Sequence, residues 1–137
     1  MSRLCRARAD DDRGANLVEM AVVMVLLFII LAGVIDIGGM YVSYVAITNA
    51  AREGARYASH FPHMEAEIKQ ATIQEAAGSG VVIAPDNVTV VGLFALPGQP
   101  IQVRVEYPFE TIMGGVTGIG TITLRTANEM IVFGADT

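Results

Sequence analysis

Hydrophobic and polar positions divide the chain into three stretches of unlike character. Residues 1–14 are short and charged, residues 15–59 carry a long apolar run that grades into an alanine-rich polar one, and residues 60–137 alternate more evenly. From Leu17 to Ile35 the chain reads LVEMAVVMVLLFIILAGVI, nineteen residues with Glu19 as the single charge. A helix of that length covers about 28 Å, close to the hydrocarbon thickness of a bilayer. The run has no polar stripe at helical spacing, so it demands apolar surroundings on every side. A buried core helix is the competing reading, but the rest of so short a chain can hardly enclose one. The pattern therefore predicts a membrane span over about 17–37.

The helical pattern does not stop at the bilayer. Asp36 ends the apolar run, yet no proline occurs before Pro62, and Val42 to Ser59 is alanine-rich with Arg, Glu and Asn interspersed. The reading is one helix over 15–59, about 68 Å if unbroken, with its first half in lipid and its second half in water. Gly38-Gly39 and Gly54 each weaken it by about 1 kcal/mol and mark candidate bends. A secretory signal cut near Ala32-Gly33 is the alternative for the apolar run, although such cores are ordinarily shorter.

Beyond the long helix, residues 60–137 predict an extracytoplasmic α+β domain. Pro62, then Met64, Ile68 and Ala71 at helical spacing, indicate a second helix to about Ala77, ended by Gly78-Ser79-Gly80. Strands are expected over Val88 to Phe94, Ile101 to Tyr107 and Thr121 to Phe133. Ile101, Val103, Val105 and Tyr107 alternate with Gln102, Arg104 and Glu106, the signature of a half-buried antiparallel strand. Ala95 to Pro100, with Pro97-Gly98, reads as a hairpin connection. Gly114 to Gly120 is too rich in glycine to be a regular element; it reads as a flexible loop against membrane or a neighbouring subunit. The fold class is α+β, a long helix with a small antiparallel sheet packed on its distal part.

Charge adds orientation and removes function classes. Arg3, Arg6, Arg8 and Arg13 precede the span, and acidic neighbours such as Asp10 to Asp12 count little, so the N-terminus is expected in the cytoplasm. The formal charge of −5, one Lys and no Trp exclude a nucleic-acid groove, which needs clustered cations. Cys5 is the single cysteine, so no intramolecular disulfide or thiolate metal site can form. It precedes the apolar run, which argues against lipidation there. His60, His63 and Glu67 are metal ligands by type, but Phe61-Pro62 breaks the helix that would align them, leaving a solvated turn. Ser43, Ser59 and Ser79 lack a base-and-acid partner pattern, and the Gly-x-Gly pairs at Gly78/Gly80 and Gly118/Gly120 complete no nucleotide loop. No enzyme, cofactor, metal or small-molecule substrate is expected.

Glu19 stands apart because an acid at a bilayer centre costs on the order of 3 kcal/mol, less toward the interface, and usually has a partner. One explanation is a carboxylate near the helix start, snorkelling to headgroups and favoured by the macrodipole. Its context, Arg13-Gly14 and then Ala15-Asn16-Leu17-Val18-Glu19, resembles the processing site of type IV pilin-like proteins. Further residues narrow the resemblance to the TadE-like proteins of the tight-adherence (Flp-type) pilus system. These are Gly33-Val34-Ile35-Asp36-Ile37-Gly38, then Asn49-Ala50-Ala51-Arg52-Glu53-Gly54-Ala55-Arg56-Tyr57-Ala58, and a late strand at Val103 to Phe109. The similarity runs from Arg13 to about Met130. Met20 and Gly39 depart from it, standing where an aromatic and an arginine are frequent.

The resemblance implies a minor pilin or pseudopilin, cut by a prepilin peptidase between Gly14 and Ala15. It further implies that Glu19 neutralises the freed amine of Ala15 on a neighbouring subunit during assembly. Other pilins, the assembly platform and the lipid bilayer are the implied partners, and the inner membrane the implied location. Arg52, Glu53 and Arg56 form either a solvated helix face with a weak Glu53 interaction or a surface for another pilus component. The alternative to the pilin reading is an uncleaved single-pass anchor presenting an extracytoplasmic binding domain.

Overall fold

The computed structural model describes the backbone of residues 2–118 and 120–133, with side chains from Gly14 onward except at 116 and 117. Helix α1, Ser2–His60, continues without interruption through the apolar run and the alanine-rich segment. It therefore includes leader positions from Ser2 to Gly14, set apart in sequence as a segment 1–14; the side chains of 1–13 lie outside the described residues. Gly38-Gly39 and Gly54 do not interrupt it; the loss per glycine, about 1 kcal/mol, is small against packing of the distal half.

That distal half is built to be approached closely. Ala46, Ile47, Ala50, Ala51, Ala55 and Ala58 recur at i, i+3 and i+4 and are all buried, which makes one face of α1 a strip of small side chains. Helix α2, Glu65–Gly78, returns along this strip and contributes Ile68, Thr72 and Ala76 to the core. The expected start at Pro62 shifts inward: residues 62 and 63 form a turn, in which Met64 N–H reaches Phe61 O at 3.2 Å before the helix begins. Gly54 marks the tightest approach. A Cβ there would overlap Thr72 Oγ1 and stand 3.3 Å from Val103 Cγ1, so this glycine is a contact residue rather than a bend.

Three antiparallel strands, β1 (Val88–Val91), β2 (Pro100–Glu110) and β3 (Thr121–Ile131), form a sheet in the order β1-β2-β3. β1 is shorter than expected because the chain turns at Gly92, with φ of 89°, and Phe94 itself lies at φ 62°. β2 and β3 pair along their whole lengths, Pro100 opposite Ile131 and Glu110 opposite Thr121. Ile101, Val103 and Val105 are fully buried against the helices. The opposite face carries Arg104, Glu106, Arg125 and Glu129, with Arg125 and Glu106 paired across the strands at 3.0 Å. The sheet thus has one dry and one wet face, as the period-two pattern requires.

Dimensions explain how the sheet sits. Eleven residues of strand extend about 36 Å, and the helix from Asp36 to Ser59 rises by nearly the same amount, about 35 Å. The β2–β3 hairpin lies along this emergent half of α1 and is tied to it at both ends and in the middle. Phe133 N–H donates to Ser59 O at 3.0 Å at the distal end. Midway, Asn128 Nδ2 donates to Thr48 O at 3.3 Å. At the proximal end the hairpin turn reaches Asp36. The glycine-rich turn is closed at its base, where Thr111 N–H reaches Gly120 O at 2.9 Å, and a single helical turn α3, Gly114–Thr117, sits inside it. Glycine is required there because a Cβ on Gly114 would lie 2.6 Å from Gly120 Cα. Gly118 closes the turn in the left-handed region, φ 76°.

Candidate membrane and assembly segment

The inner half of α1 has no cover within the chain. An 18-residue window of it reaches a mean hydropathy of 2.9, with 6% of that window buried. Leu17, Val18, Met20, Val22 to Ile30, Leu31, Val34, Ile35 and Ile37 are exposed around the full circumference of the helix. Such a surface calls for an apolar solvent, so the segment is long and apolar enough to cross a membrane and is not a core helix of the described residues. The span over 17–37 rises about 31 Å, which matches a bilayer's hydrocarbon layer.

Gly14, Ala15 and Glu19 all lie on exposed helix at its inner end. Gly14 meets nothing within 4 Å of a Cβ position, so no packing within the described residues accounts for a glycine there, in contrast to Gly39 and Gly54. Glu19 borders a shallow recess shared with Asn16, Met20, Val23, Met24 and Leu27. Among the described residues no side chain meets its carboxylate. Gly14, Ala15 and Glu19 fall within six residues of one another on one helix, which a pattern reading of the sequence finds without tertiary information. Arg3, Arg6, Arg8 and Arg13, which set the expected orientation, lie outside the residues whose side chains are described.

Arg52, Glu53 and Arg56 stand on the side of α1 away from α2 and the sheet. Arg56 Nε donates to Glu53 Oε2 at 2.8 Å, and its Nη2 to the other carboxylate oxygen, a two-point contact on an open surface. This hydrogen-bonded guanidinium holds the Glu53 carboxyl below the usual carboxylate range, against the opposing effect of slight burial. Glu53 in turn raises the Arg56 guanidinium. Arg52 is exposed and does not join them. So two of the three residues form a local pair, and the structure does not gather the trio into a pocket.

His60 stacks on Phe133 with ring centroids 5.3 Å apart, placing it on the apolar distal end of the domain. No cluster of three His, Cys, Asp or Glu side chains suited to a metal occurs among the described residues.

Asp36 is the residue whose importance the sequence concealed. It is 7% exposed, and its two carboxylate oxygens accept the N–H groups of Ile112 and Met113, each at 2.8 Å. The partner amides are 76 and 77 positions away in sequence, so no local pattern announces them. The available signal was the acid itself at the end of an apolar run, since a carboxylate at such a depth needs a donor. One helical turn later Gly39 leaves room for Phe109, whose ring carbons lie 3.1 and 3.4 Å from a Cβ position. A side chain at position 39 would press on that ring, which would have to shift by a few tenths of an ångström to admit it.

No curated protein and no solved structure matches the chain. A protein-family model described as TadE-like protein matches residues 14–56. The match opens at Gly14 and closes at Arg56, so it takes in Glu19, Asp36, Gly54 and most of the alanine-rich face. It does not extend to the late strand at Val103 to Phe109. Over that matched segment, from the glycine ahead of the apolar run to the small-residue face that seats the outer domain, this chain is similar to the TadE-like proteins.

Proposed function

We propose that the protein is a minor pilin or pseudopilin of the tight-adherence (Flp-type) pilus system, without catalytic activity. It is anchored in the inner membrane with its N-terminus in the cytoplasm and is processed by a prepilin peptidase after Gly14. The observation that carries this reading is the TadE-like segment's start at Gly14, five residues before the single acid of the apolar run Leu17 to Ile35. Glycine has a physical use at a cleavage point. It lowers the cost of opening the helix, and an extended glycine enters a protease cleft without side-chain conflict.

After cleavage the amine of Ala15 and the carboxylate of Glu19 would lie near one end of the span. Glu19 of one subunit then meets the Ala15 amine of the next when the helices leave lipid and pack together. Each charge offsets the other's desolvation in a medium of low dielectric. Other pilins and the assembly platform are the partners in this reading. The exposed Glu53–Arg56 pair contributes a polar patch outside the bilayer rather than a binding pocket.

Mass spectrometry of the mature protein tests the processing step. An N-terminus at Ala15 supports the reading; retention of Met1 or Ser2 makes the chain an uncleaved anchor, and a start near Gly33 makes the product soluble. For assembly, Glu19→Gln is expected to abolish incorporation into pili while leaving processing intact. Normal incorporation of the variant would remove the charge-pair role.

A further inference from the structure

The two charges that bracket the apolar run set its depth. Glu19 and Asp36 are seventeen residues apart, a helical rise of about 26 Å, so Asp36 lies at the outer edge of a hydrocarbon layer about 30 Å thick. An acid there needs hydrogen-bond donors, and the amides of Ile112 and Met113 supply them at 2.8 Å. The same contact fixes the level of the hairpin turn. The Ile112 backbone is held one hydrogen bond from a side chain at the hydrocarbon boundary, yet its own side chain is 64% exposed.

Neighbouring groups suit that depth. Tyr41 and Tyr44, one to two helical turns beyond the span, are exposed aromatics with polar tips, the residue type that collects at membrane–water interfaces. From Phe109 to Gly120 the sequence carries one charge, Glu110, and no cation. Electrostatic attraction to anionic lipid is therefore not available to this turn, whereas insertion of an apolar side chain is.

We propose that the β2–β3 hairpin turn is a membrane foot, with Asp36 clamping it so that Ile112 enters the outer interface of the bilayer. The outer domain then rests on the lipid surface instead of standing clear on a free helix. The partner is the acyl–headgroup boundary of lipid, engaged by apolar contact and indifferent to lipid charge. This rests on the membrane reading of residues 17–37, and the experiment separates the two.

Single cysteines at Leu26, Ile112 and Val82 are introduced into full-length protein carrying Cys5→Ser. Each is labelled with an environment-sensitive fluorophore and reconstituted into phosphatidylcholine vesicles. Val82 is an exposed position just after α2 and serves as the aqueous reference. Nitroxide lipids quench at the acyl mid-chain or near the headgroup. The foot predicts quenching of the Leu26 probe by the deep nitroxide, of the Ile112 probe by the shallow one, and of the Val82 probe by neither. Adding anionic lipid leaves this pattern unchanged. An Ile112 probe as water-exposed as Val82, with Leu26 still quenched, overturns the foot and leaves the anchor standing. A dry Ile112 probe that no lipid quencher reaches also overturns it, because a protein neighbour then covers the turn. If Leu26 itself escapes quenching, the anchor fails and the foot with it. In the Asp36→Ala background the shallow quenching of the Ile112 probe is expected to fall while that of Leu26 persists, the mark of a positioning role for the carboxylate.

Discussion

Gly54→Ala isolates the packing of α1 on α2 in a single methyl group. Alanine is the better helix former by about 1 kcal/mol, so on propensity alone the substitution stabilises. Packing opposes it. The new Cβ overlaps Thr72 Oγ1 and stands 3.3 Å from both Thr72 Cβ and Val103 Cγ1. Thr72 cannot swing aside at no cost, because it is fully buried and its hydroxyl donates to Ile68 O at 2.8 Å. Losing that bond costs about 1 kcal/mol, and separating the helices instead costs about 1–3 kcal/mol. Set against the propensity gain of about 1 kcal/mol, the balance is a net destabilisation of up to about 2 kcal/mol, hence a Tm about 4–8 °C lower per kcal/mol for a domain of this size. Near-UV circular dichroism of the tyrosines in detergent follows the melt, since the chain has no tryptophan. Thr72→Ala removes the overlapping atom, so the double variant should recover part of the loss, with a coupling of about 1 kcal/mol or more. A Gly54→Ala protein stabilised by its propensity gain, or strict additivity in the cycle, would refute the close approach.

Other substitutions probe the remaining contacts. Asp36→Asn keeps the shape but one acceptor oxygen fewer, so hydrogen exchange at the Ile112 and Met113 amides should accelerate, with a stability loss of about 1–3 kcal/mol. Unchanged protection there would detach the hairpin turn from α1. Gly39→Arg should lower the Tm in the wild-type background and do so less when Phe109 is also changed to Ala, because the ring occupies the space above position 39. The Glu53–Arg56 pair gives a pH signature of defined sign. Since Glu53 titrates below its ordinary value in the folded state, the pair's contribution is full above the unfolded Glu pKa. It is lost as the pH falls through the lower folded value. Tm curves of wild type and Arg56→Ala should therefore converge in acid and differ slightly at neutral pH, the exposed pair being weak.

Much of this was legible along the chain because it depends on near neighbours. The span is a property of consecutive side chains and a fixed rise per residue. The strand Ile101 to Tyr107 shows itself through alternation, and the Gly14–Glu19 grouping lies within two helical turns. What was misread had a common cause. Gly54 looked like a helix weakness because sequence registers its flexibility but not the Thr72 side chain eighteen positions on. The Gly114–Gly120 stretch read as a flexible loop because sequence registers its glycines but not the close approach of Gly114 to Gly120 across the turn. Pro62 looked like a helix start, yet the turn at Phe61 to Met64 takes up the reversal first.

An apolar helix able to cross a bilayer, a polar outer half continuous with it and an antiparallel sheet with one wet face are all written in the order of the residues. Those follow from periodicity and solvent transfer, which act residue by residue. Tertiary structure decided where the sheet stops along the helix and how deep it sits. Asp36 meets the amides of Ile112 and Met113 only after the chain has reversed direction three times, since a buried carboxylate takes its donors from whatever the fold brings within reach.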